Sequence, residues 1–352
     1  MPLRSLLISC LSLLLIACSS DEATELVERY AYRTGNAIDV EIDLTLMPAA
    51  QLYAPLAPRR ERTAEVPEIR EGLLDLIDLR HCNLMQLASE RNTSLGRVAK
   101  PSQRLIYELK ILPGLRHCIE ELDADEDKAD LKAKLLQYAD TKRQGFASLL
   151  LNAIYNSDEM ERHFSLGQPP LTPGDQGYLT PLVEPLEQFS LLTQLSSQPN
   201  WQTPEFTDAL EQNFEKLYRS DFGARWISSM ALLTQTLNQS SSAIETRLEG
   251  RPICPNGKQN RKSEILWNVF LKFYVGELQP YIAQVEREGK EWTRLHSAIL
   301  LPLSEISQAR LITPYFDVSA QSTLWGPYLA ARQRHTEAWQ TLLDQCGLRP
   351  GA

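Results

Sequence analysis

The tripeptide Arg-His-Cys occurs twice in the chain, at residues 80–82 and 116–118, and offers two thiols and two imidazoles. Two cysteines and two histidines form a common tetrahedral zinc site. Adjacent residues on a helix point about 100° apart, so both members of a His-Cys pair reach one ion only where the helix ends. A disulfide between Cys82 and Cys118 is therefore the preferred interpretation, with zinc binding as the alternative.

Two further pairs of side chains have the spacing of metal ligands on one helix face. His117 and Glu120 are three residues apart, and Glu159 and His163 are four residues apart. Because residues at these spacings are neighbours on a helix, each pair could share an ion or form an ordinary ion pair. Neither pair has additional ligands nearby in sequence. We therefore assign no metal site, and keep His117 and Glu120 only as weak metal candidates.

Known catalytic motifs are missing from the sequence. It has no Gly-x-Ser-x-Gly motif and no glycine-rich nucleotide-binding pattern, so we assign no catalytic residue. Whether the protein is an enzyme stays open, and we lean towards a noncatalytic role. Two carboxylates from different helices could still act on peptidoglycan, because such pairs leave no signal in sequence spacing.

The charge balance disfavours a nucleic-acid partner. The 352 residues contain 36 Lys and Arg against 45 Asp and Glu, giving a net charge of -9. Binding a phosphate backbone would then need a strongly segregated basic face, and the sequence shows none. With 43% hydrophobic residues, the chain is long and apolar enough to bury a large core.

The N-terminal segment has the organisation of a secretory signal peptide. Arg4 precedes an apolar run over residues 6–17, and polar residues follow immediately. This run is shorter than the roughly 20 residues that span a membrane, so we expect cleavage rather than a permanent helix. Residues 1–17 are thus predicted to be a signal peptide, and residues 18–352 the mature protein.

The cleavage site resembles the lipobox of bacterial lipoproteins. Its residues are Leu15, Ile16, Ala17 and Cys18, in which a small residue directly precedes the cysteine. The resemblance implies that Cys18 carries a covalent lipid after cleavage, and several acyl chains hold a protein firmly at a membrane. Ser19, rather than aspartate, follows the cysteine, which resembles the signal for the outer membrane. We expect a lipid-anchored protein that faces the periplasm and has no other cofactor.

Four cysteines remain after the predicted signal peptide and lipidation site. In an oxidising compartment, an even number of cysteines indicates disulfides. We favour pairing of Cys82 with Cys118 and of Cys254 with Cys346, because each pair falls within one half of the chain. The other connectivities remain possible on paper.

Hydrophobic periodicity predicts an all-α, multi-helix, bundle-like body. We expect a long helix over 128–165, helix starts at Thr180 and Thr203 with hydroxyl caps, and a helix over 223–248. A central helix over 263–287 should be kinked at Pro280. Its aromatic side chains could line an apolar or sugar-binding groove, although core packing is preferred: Trp267, Phe270, Phe273, Tyr274 and Tyr281.

A cluster of glycines and prolines follows the predicted long helix. Residues 167–177 are rich in these helix breakers and are predicted to form a linker. The body would then divide into two possible lobes, over residues 22–166 and 178–346.

The region around residues 70–120 resembles a known family of bacterial proteins. The segments 90–98 and 101–108, with Cys82 and Cys118 on either side, are similar to domain-of-unknown-function family 3080. Its members are lipoproteins of about this size, with no established activity. The resemblance therefore supports lipoprotein character and implies no functional residue.

The expected function is a noncatalytic interaction or structural role in the cell envelope. A lipid anchor without an evident active site points to a membrane-attached protein with an envelope protein partner. The alternatives are a periplasmic module that binds a small ligand or a metal and, less favoured, an enzyme that acts on peptidoglycan.

Overall fold

The computed structural model describes residues 21–67, 82, 84–93, 98–122, 126–175, 177–319 and 321–349. Within this part the chain forms helices and loops without strands, so the predicted all-α body is confirmed. The helices of eight or more residues are α1 (Glu22–Ile38), α2 (Met85–Asn92), α3 (Pro101–Glu121), α4 (Ala129–Tyr155), α5 (Thr180–Leu195), α6 (Leu210–Tyr218), α7 (Phe222–Leu248), α8 (Arg261–Val269), α9 (Gln279–Leu300) and α10 (Trp325–Asp344).

Helices α7, α9 and α10 form the centre of the molecule. Near the start of α7, the ring of Trp226 lies 5.6 Å from that of Trp325 at the start of α10. Further along both helices, Ser241 lies 3.2 Å from His335, so α7 and α10 run in the same direction. Helix α9 runs in the opposite direction, because Val285 lies beside Trp226 whereas the later Trp292 lies beside Phe222. Large aromatic side chains are buried between them and fill this part of the core.

A π-helical segment, Phe270–Leu278, joins α8 to α9. The sequence predicts a kink at Pro280, and the irregularity lies in the turns immediately before it. Proline has no N–H to donate, which removes one regular helical bond at this point. The wider turn is closed by the N–H of Gln279, which donates to the carbonyl of Tyr274 five residues earlier.

Two predicted helix boundaries and one predicted cap differ from the structure. Helix α4 ends at Tyr155 instead of near 165, because Ser157 caps a new short helix by accepting a hydrogen bond from Met160 N. Helix α5 begins at Thr180 as predicted, but without the expected hydroxyl cap. The hydroxyl of Thr203 donates instead to the carbonyl of Leu109, 3.0 Å away, and a 3₁₀ turn precedes α6.

A strap, residues 40–67, crosses the surface between α1 and the hairpin of α3 and α4. It is extended apart from two four-residue helices, Ala49–Leu52 and Arg59–Arg62. Side-chain amides of the helices bind its backbone. Gln239 bonds both the N–H and the carbonyl of Thr45, at 2.9 and 3.0 Å, and Gln235 does the same for Met47, at 2.8 and 3.0 Å. The prolines over residues 47–67 indicate an irregular loop, but the bonds that hold the strap could not be predicted, because they come from side chains far away in the chain.

The four cysteines lie in two pairs at disulfide distance. Cys82 pairs with Cys118 and Cys254 with Cys346, with Cα–Cα distances of 5.2 and 5.1 Å. This is the connectivity that the sequence favours, and it uses Cys82 and Cys118 in a disulfide rather than as zinc ligands. The first pair belongs to a small hydrophobic cluster at α2, α3 and α4, whereas the second belongs to the main core.

The glycine- and proline-rich segment packs closely on the body. Leu171 is fully buried, and its N–H donates to Ser229 Oγ at 2.8 Å. The N–H of Gly174 donates to the side chain of Gln284 at 2.8 Å. The main core contains side chains from both sides of 167–177. The division into two lobes stays a prediction.

Candidate binding site

A cleft of about 270 Å³ opens between α3, α4 and residues 195–201. Its charged lining residues, Arg116, Glu120, Asp140 and Arg143, carry both signs. Most of the other lining side chains are apolar: Leu112, Pro113, Ile119, Leu136, Ala139, Phe146, Leu195, Pro199 and Trp201. The cleft therefore combines an apolar interior with charged groups of balanced sign.

The wall of the cleft is fixed by one aromatic stack and one hydrogen bond. The ring of Trp201 lies nearly parallel to that of Phe146 on α4, with their centroids 5.2 Å apart. Arg116 on α3 donates to the carbonyl of Trp201 at 2.7 Å. These contacts hold the loop after α5 against the hairpin of α3 and α4, so three separate parts of the chain form the cleft.

Leu136 makes the cleft suited to an apolar contact. It lines the cleft, and 49% of its surface is exposed although it lies two turns inside α4. Burying a large apolar side chain contributes about 1.5–3 kcal/mol. Nearby, Arg143 donates to Asp140 at 2.7 Å, so the two charges already neutralise each other. The cleft can therefore accept an apolar group, with charged side chains at its rim to orient it.

The metal candidates from the sequence do not come together. His117 forms an exposed pair with Glu121, 3.2 Å away, whereas Glu120 lines the cleft. His163 uses both ring nitrogens on backbone groups and is not bonded to Glu159. No group of three or more potential metal ligands occurs among the described residues. Cys18 and residues 80–81 lie outside the described residues.

His335 is buried at the centre of a chain of hydrogen bonds. Ser241 donates to Leu237 O and therefore accepts from His335 Nδ1, 3.2 Å away. Tyr30 accepts from Trp339 Nε1 and donates to His335 Nε2 at 2.8 Å. Burial lowers the pKa of His335 to about 3. This imidazole is thus neutral and fixes the packing of α1, α7 and α10.

His163 and His296 form a second buried group beside Trp292. His163 accepts from Gly223 N at 3.2 Å, and its other nitrogen donates to Leu217 O. Burial lowers its pKa to about 4. His296 stacks on Phe316 with ring centroids 4.1 Å apart, and burial holds its pKa well below the usual value. Both imidazoles are therefore neutral side chains of the core.

A second depression, of about 800 Å³, lies between α9 and α10 and is called the polar groove below. Glu286 is its most buried charged group, at 8% exposure. Burial alone would raise its pKa, but hydrogen bonds from Tyr328 and Lys290, with the charge of Arg332, outweigh this effect and lower it. A general acid for glycoside cleavage needs a raised pKa, so Glu286 is unsuited to that role.

The aromatic side chains of residues 263–287 mainly fill the core, as preferred from the sequence. Phe270 lies against Trp339 with ring centroids 5.0 Å apart, and Tyr281 is fully buried. Tyr274 packs on Tyr30 and also lines the polar groove. The sequence therefore identifies Tyr274 as a possible groove residue, but it does not identify α10 as the other wall of that groove.

The sequence offered no sign of Leu136 or Trp201 as cleft residues. Leu136 directly follows Leu135 of the buried apolar face of α4 and has Lys132 and Asp140 one turn away on either side, and Trp201 lies in a loop. Its position after Pro199, in a short irregular segment, is a weak indication of a surface role.

The comparisons with known proteins identify a family. No helix of the described part is long and apolar enough to cross a membrane. No match was found among curated proteins or among solved structures. The family model described as "Protein of unknown function (DUF3080)" matches residues 27–350, far beyond the region whose motifs resemble it. The chain therefore belongs to the DUF3080 family of proteins of unknown function.

Proposed function

We propose that the protein is a noncatalytic lipoprotein of the bacterial outer membrane that faces the periplasm and binds an envelope protein. The observation that carries the proposal is the apolar cleft between α3, α4 and residues 195–201. The apolar lining of the cleft is contiguous and includes the half-exposed Leu136, and a contiguous exposed apolar surface indicates a site of interaction.

The size of the cleft favours a side chain of a protein partner. Pockets for small organic ligands usually measure about 300–1,000 Å³, and the cleft, at about 270 Å³, lies just below that range. Protein interfaces gain most of their affinity from a few large apolar or aromatic side chains that enter such pockets. We therefore infer that the partner inserts one large apolar side chain, with polar neighbours that meet Arg116 and Asp140.

The lipid anchor would limit where the partner can lie. Asp21 caps α1 by accepting a hydrogen bond from Thr24 N at 2.9 Å. Only Ser19 and Ser20 lie between it and Cys18, so three residue steps of at most about 3.5 Å each join the two positions. An acylated Cys18 would thus hold the start of α1 within about 10 Å of the membrane. The partner would accordingly be another protein at the outer membrane or in the nearby periplasm.

The anchor and the cleft can be tested separately in the native host. In the first arm, metabolic labelling with palmitate should mark the wild-type protein and not Cys18→Ser. In the second, in-cell crosslinking and affinity capture with mass spectrometry compare wild type, Leu136→Asp and Leu301→Asp. Leu301 is 74% exposed and does not line the cleft, so it is the matched control.

We expect one saturable partner with wild type and with Leu301→Asp, and its loss with Leu136→Asp. The same partners with all three proteins would contradict the cleft as the site of contact. Labelled Cys18→Ser would contradict the lipid anchor. Reproducible turnover of an envelope substrate by the purified protein, abolished by a point mutation, would contradict the noncatalytic role.

A further inference from the structure

The strap shows how this protein binds an extended polypeptide. Gln235 and Gln239 are one helical turn apart, a rise of about 6 Å, and Thr45 and Met47 are two extended residues apart, about 6.6 Å. The two spacings match, so successive amides of a helix can bond alternate residues of an extended chain. Asn152 on α4 repeats the arrangement with Ala64, with both hydrogen bonds at 2.8 Å.

The polar groove between α9 and α10 is also lined by glutamine side chains, together with one glutamate. Gln333, Glu337 and Gln340 lie at positions i, i+4 and i+7 of α10, so they form one stripe with a repeat of about 5–6 Å. Gln279 lies on the facing wall, at the start of α9. An amide side chain carries two donors and one acceptor oxygen. The bonds assigned to Gln333 and Gln340, one each, leave part of that capacity unused.

The bottom of the groove is fixed rather than adaptable. The ring of Tyr274 is held between Tyr30 and Trp339 in the core. The carboxylate of Glu286 accepts hydrogen bonds from Tyr328 at 2.8 Å and from Lys290 at 3.1 Å, and pairs with Arg332. A preorganised bottom lowers the entropic cost of binding.

We propose that the groove between α9 and α10 binds an extended peptide segment of another protein. Gln333 and Gln340 on α10 would bond backbone N–H and carbonyl groups, as Gln235 and Gln239 do for the strap, whereas the Glu337 carboxylate would only accept hydrogen bonds. The charge of Glu286 is balanced by Arg332 and Lys290, whereas Glu337 is exposed and bonded only by Gln333 among the described residues. The groove therefore favours a segment with a Lys or Arg beside Glu337. This proposal does not depend on the apolar cleft.

The experiment uses a random dodecapeptide phage library, selected on the full mature chain. Enriched peptides are synthesised with a fluorophore, and their Kd values are measured by fluorescence anisotropy. The groove variant is Gln333→Ala combined with Gln340→Ala, and the matched control is Gln212→Ala combined with Gln308→Ala, outside the groove. Alanine is favourable in helices, so thermal unfolding should show both variants folded.

We expect enriched peptides that carry a basic residue and bind the groove variant about tenfold more weakly than wild type, because several hydrogen bonds are lost. The control variant should bind within about twofold of wild type. Peptides N-methylated at alternate residues should lose about tenfold in affinity, whereas those methylated at the intervening residues should not.

Three outcomes would overturn the proposal. The first is a selection without any peptide whose affinity depends on the groove glutamines. The second is equal binding of all N-methylated peptides, which would show recognition of side chains rather than backbone. The third is binding of chitotetraose in competition with the peptides, which would assign the groove to a saccharide.

Discussion

Two regions of the molecule are built differently. One is the body around α7, α9 and α10, and the other is the hairpin of α3 and α4, with α2 packed on it. In the body, buried aromatic rings are tied together by hydrogen bonds, as in the chain through Tyr30, His335 and Trp339. The outer part of the hairpin has a small aliphatic cluster beside the Cys82–Cys118 disulfide. Few buried contacts allow local opening at low free energy. The body therefore suits a fixed groove, and the hairpin a cleft that adjusts to its partner.

Removing one disulfide at a time should give the largest difference in stability between the body and the hairpin. In the chain-entropy account, losing Cys254–Cys346, which spans 92 residues, costs about 4–5 kcal/mol, and losing Cys82–Cys118, which spans 36, costs about 4 kcal/mol. We expect the first loss to lower the unfolding temperature of the body. The second should mainly accelerate hydrogen exchange in α2 and α3.

The measurement is hydrogen-exchange mass spectrometry together with thermal unfolding of the two double Cys→Ala variants. Equal destabilisation of the body by both variants would show that the hairpin and the body unfold as one unit.

Acid should destabilise the body before the hairpin. The pKa values of His163 and His335 in the folded protein are lowered to about 4 and about 3, so the unfolded chain binds protons first as pH falls. Their contribution to stability is present above pH 6.5 and is lost towards pH 4. Each should reduce the free energy of unfolding by about 3 kcal/mol over this range.

Urea unfolding between pH 7 and pH 4 measures this loss. His117→Gln is the control, because His117 is an exposed residue of the hairpin. A free energy of unfolding that stays constant over this range would contradict the burial of neutral histidines.

A methyl group added to one glycine in each region should have different effects. A Cβ at Gly289 in α9 would lie 2.1 Å from Trp226 Nε1, in a ring fixed by its bond to Val285 O. A Cβ at Gly114 in α3 would lie 2.5 Å from the terminal methyl of Leu84, which can rotate away. Gly289→Ala should cost about 2–3 kcal/mol and Gly114→Ala less than about 1 kcal/mol.

Equilibrium denaturation of both glycine variants tests this difference. A Gly114→Ala variant that is as unstable as Gly289→Ala would show that the small cluster is packed as rigidly as the body.

The smallest effect concerns a buried carboxyl group on α9. Glu288 is 5% exposed, and neither carboxyl oxygen has a hydrogen-bond partner in the described part of the chain. Burial raises its pKa, so the stability associated with this group is lost as pH rises above the pKa in the unfolded chain. Glu288→Gln should raise Tm by about 2 °C at pH 8, and by less at pH 5.

Thermal unfolding at the two pH values measures this gain. Glu291→Gln, which removes an exposed partner of Arg294, is the control and should not raise Tm. A lower Tm for Glu288→Gln would indicate that the charged form of Glu288 stabilises the body.

Local patterns predict the parts of this fold that depend on neighbouring residues. Helix α7 begins at Phe222 and ends at Leu248, within one residue of the boundaries given by its apolar pattern. The pattern of the long helix predicts an end near residue 165, ten residues beyond Tyr155, because the chain turns at Asn156 and Ser157 without a glycine or proline. The observed cysteine pairing is the one that the positions of the cysteines along the chain favour among the possible connectivities.

The two surfaces could not be predicted, because they join segments far apart in sequence. Trp201 reaches Phe146 only after α5 folds against the hairpin. The second wall of the polar groove is α10, more than 50 residues after Tyr274. Burial of the histidines likewise depends on how α1, α7 and α9 pack, which a single sequence does not encode locally.

Site-specific photocrosslinking in living cells tests the central claim, that a protein partner occupies the apolar cleft. A photoreactive amino acid replaces Leu136 in the cleft or, as control, Leu301 outside it. We predict one discrete crosslinked product from position 136 that disappears with Cys18→Ser, and none from position 301. No product from position 136, or the same products from both positions, would contradict this account.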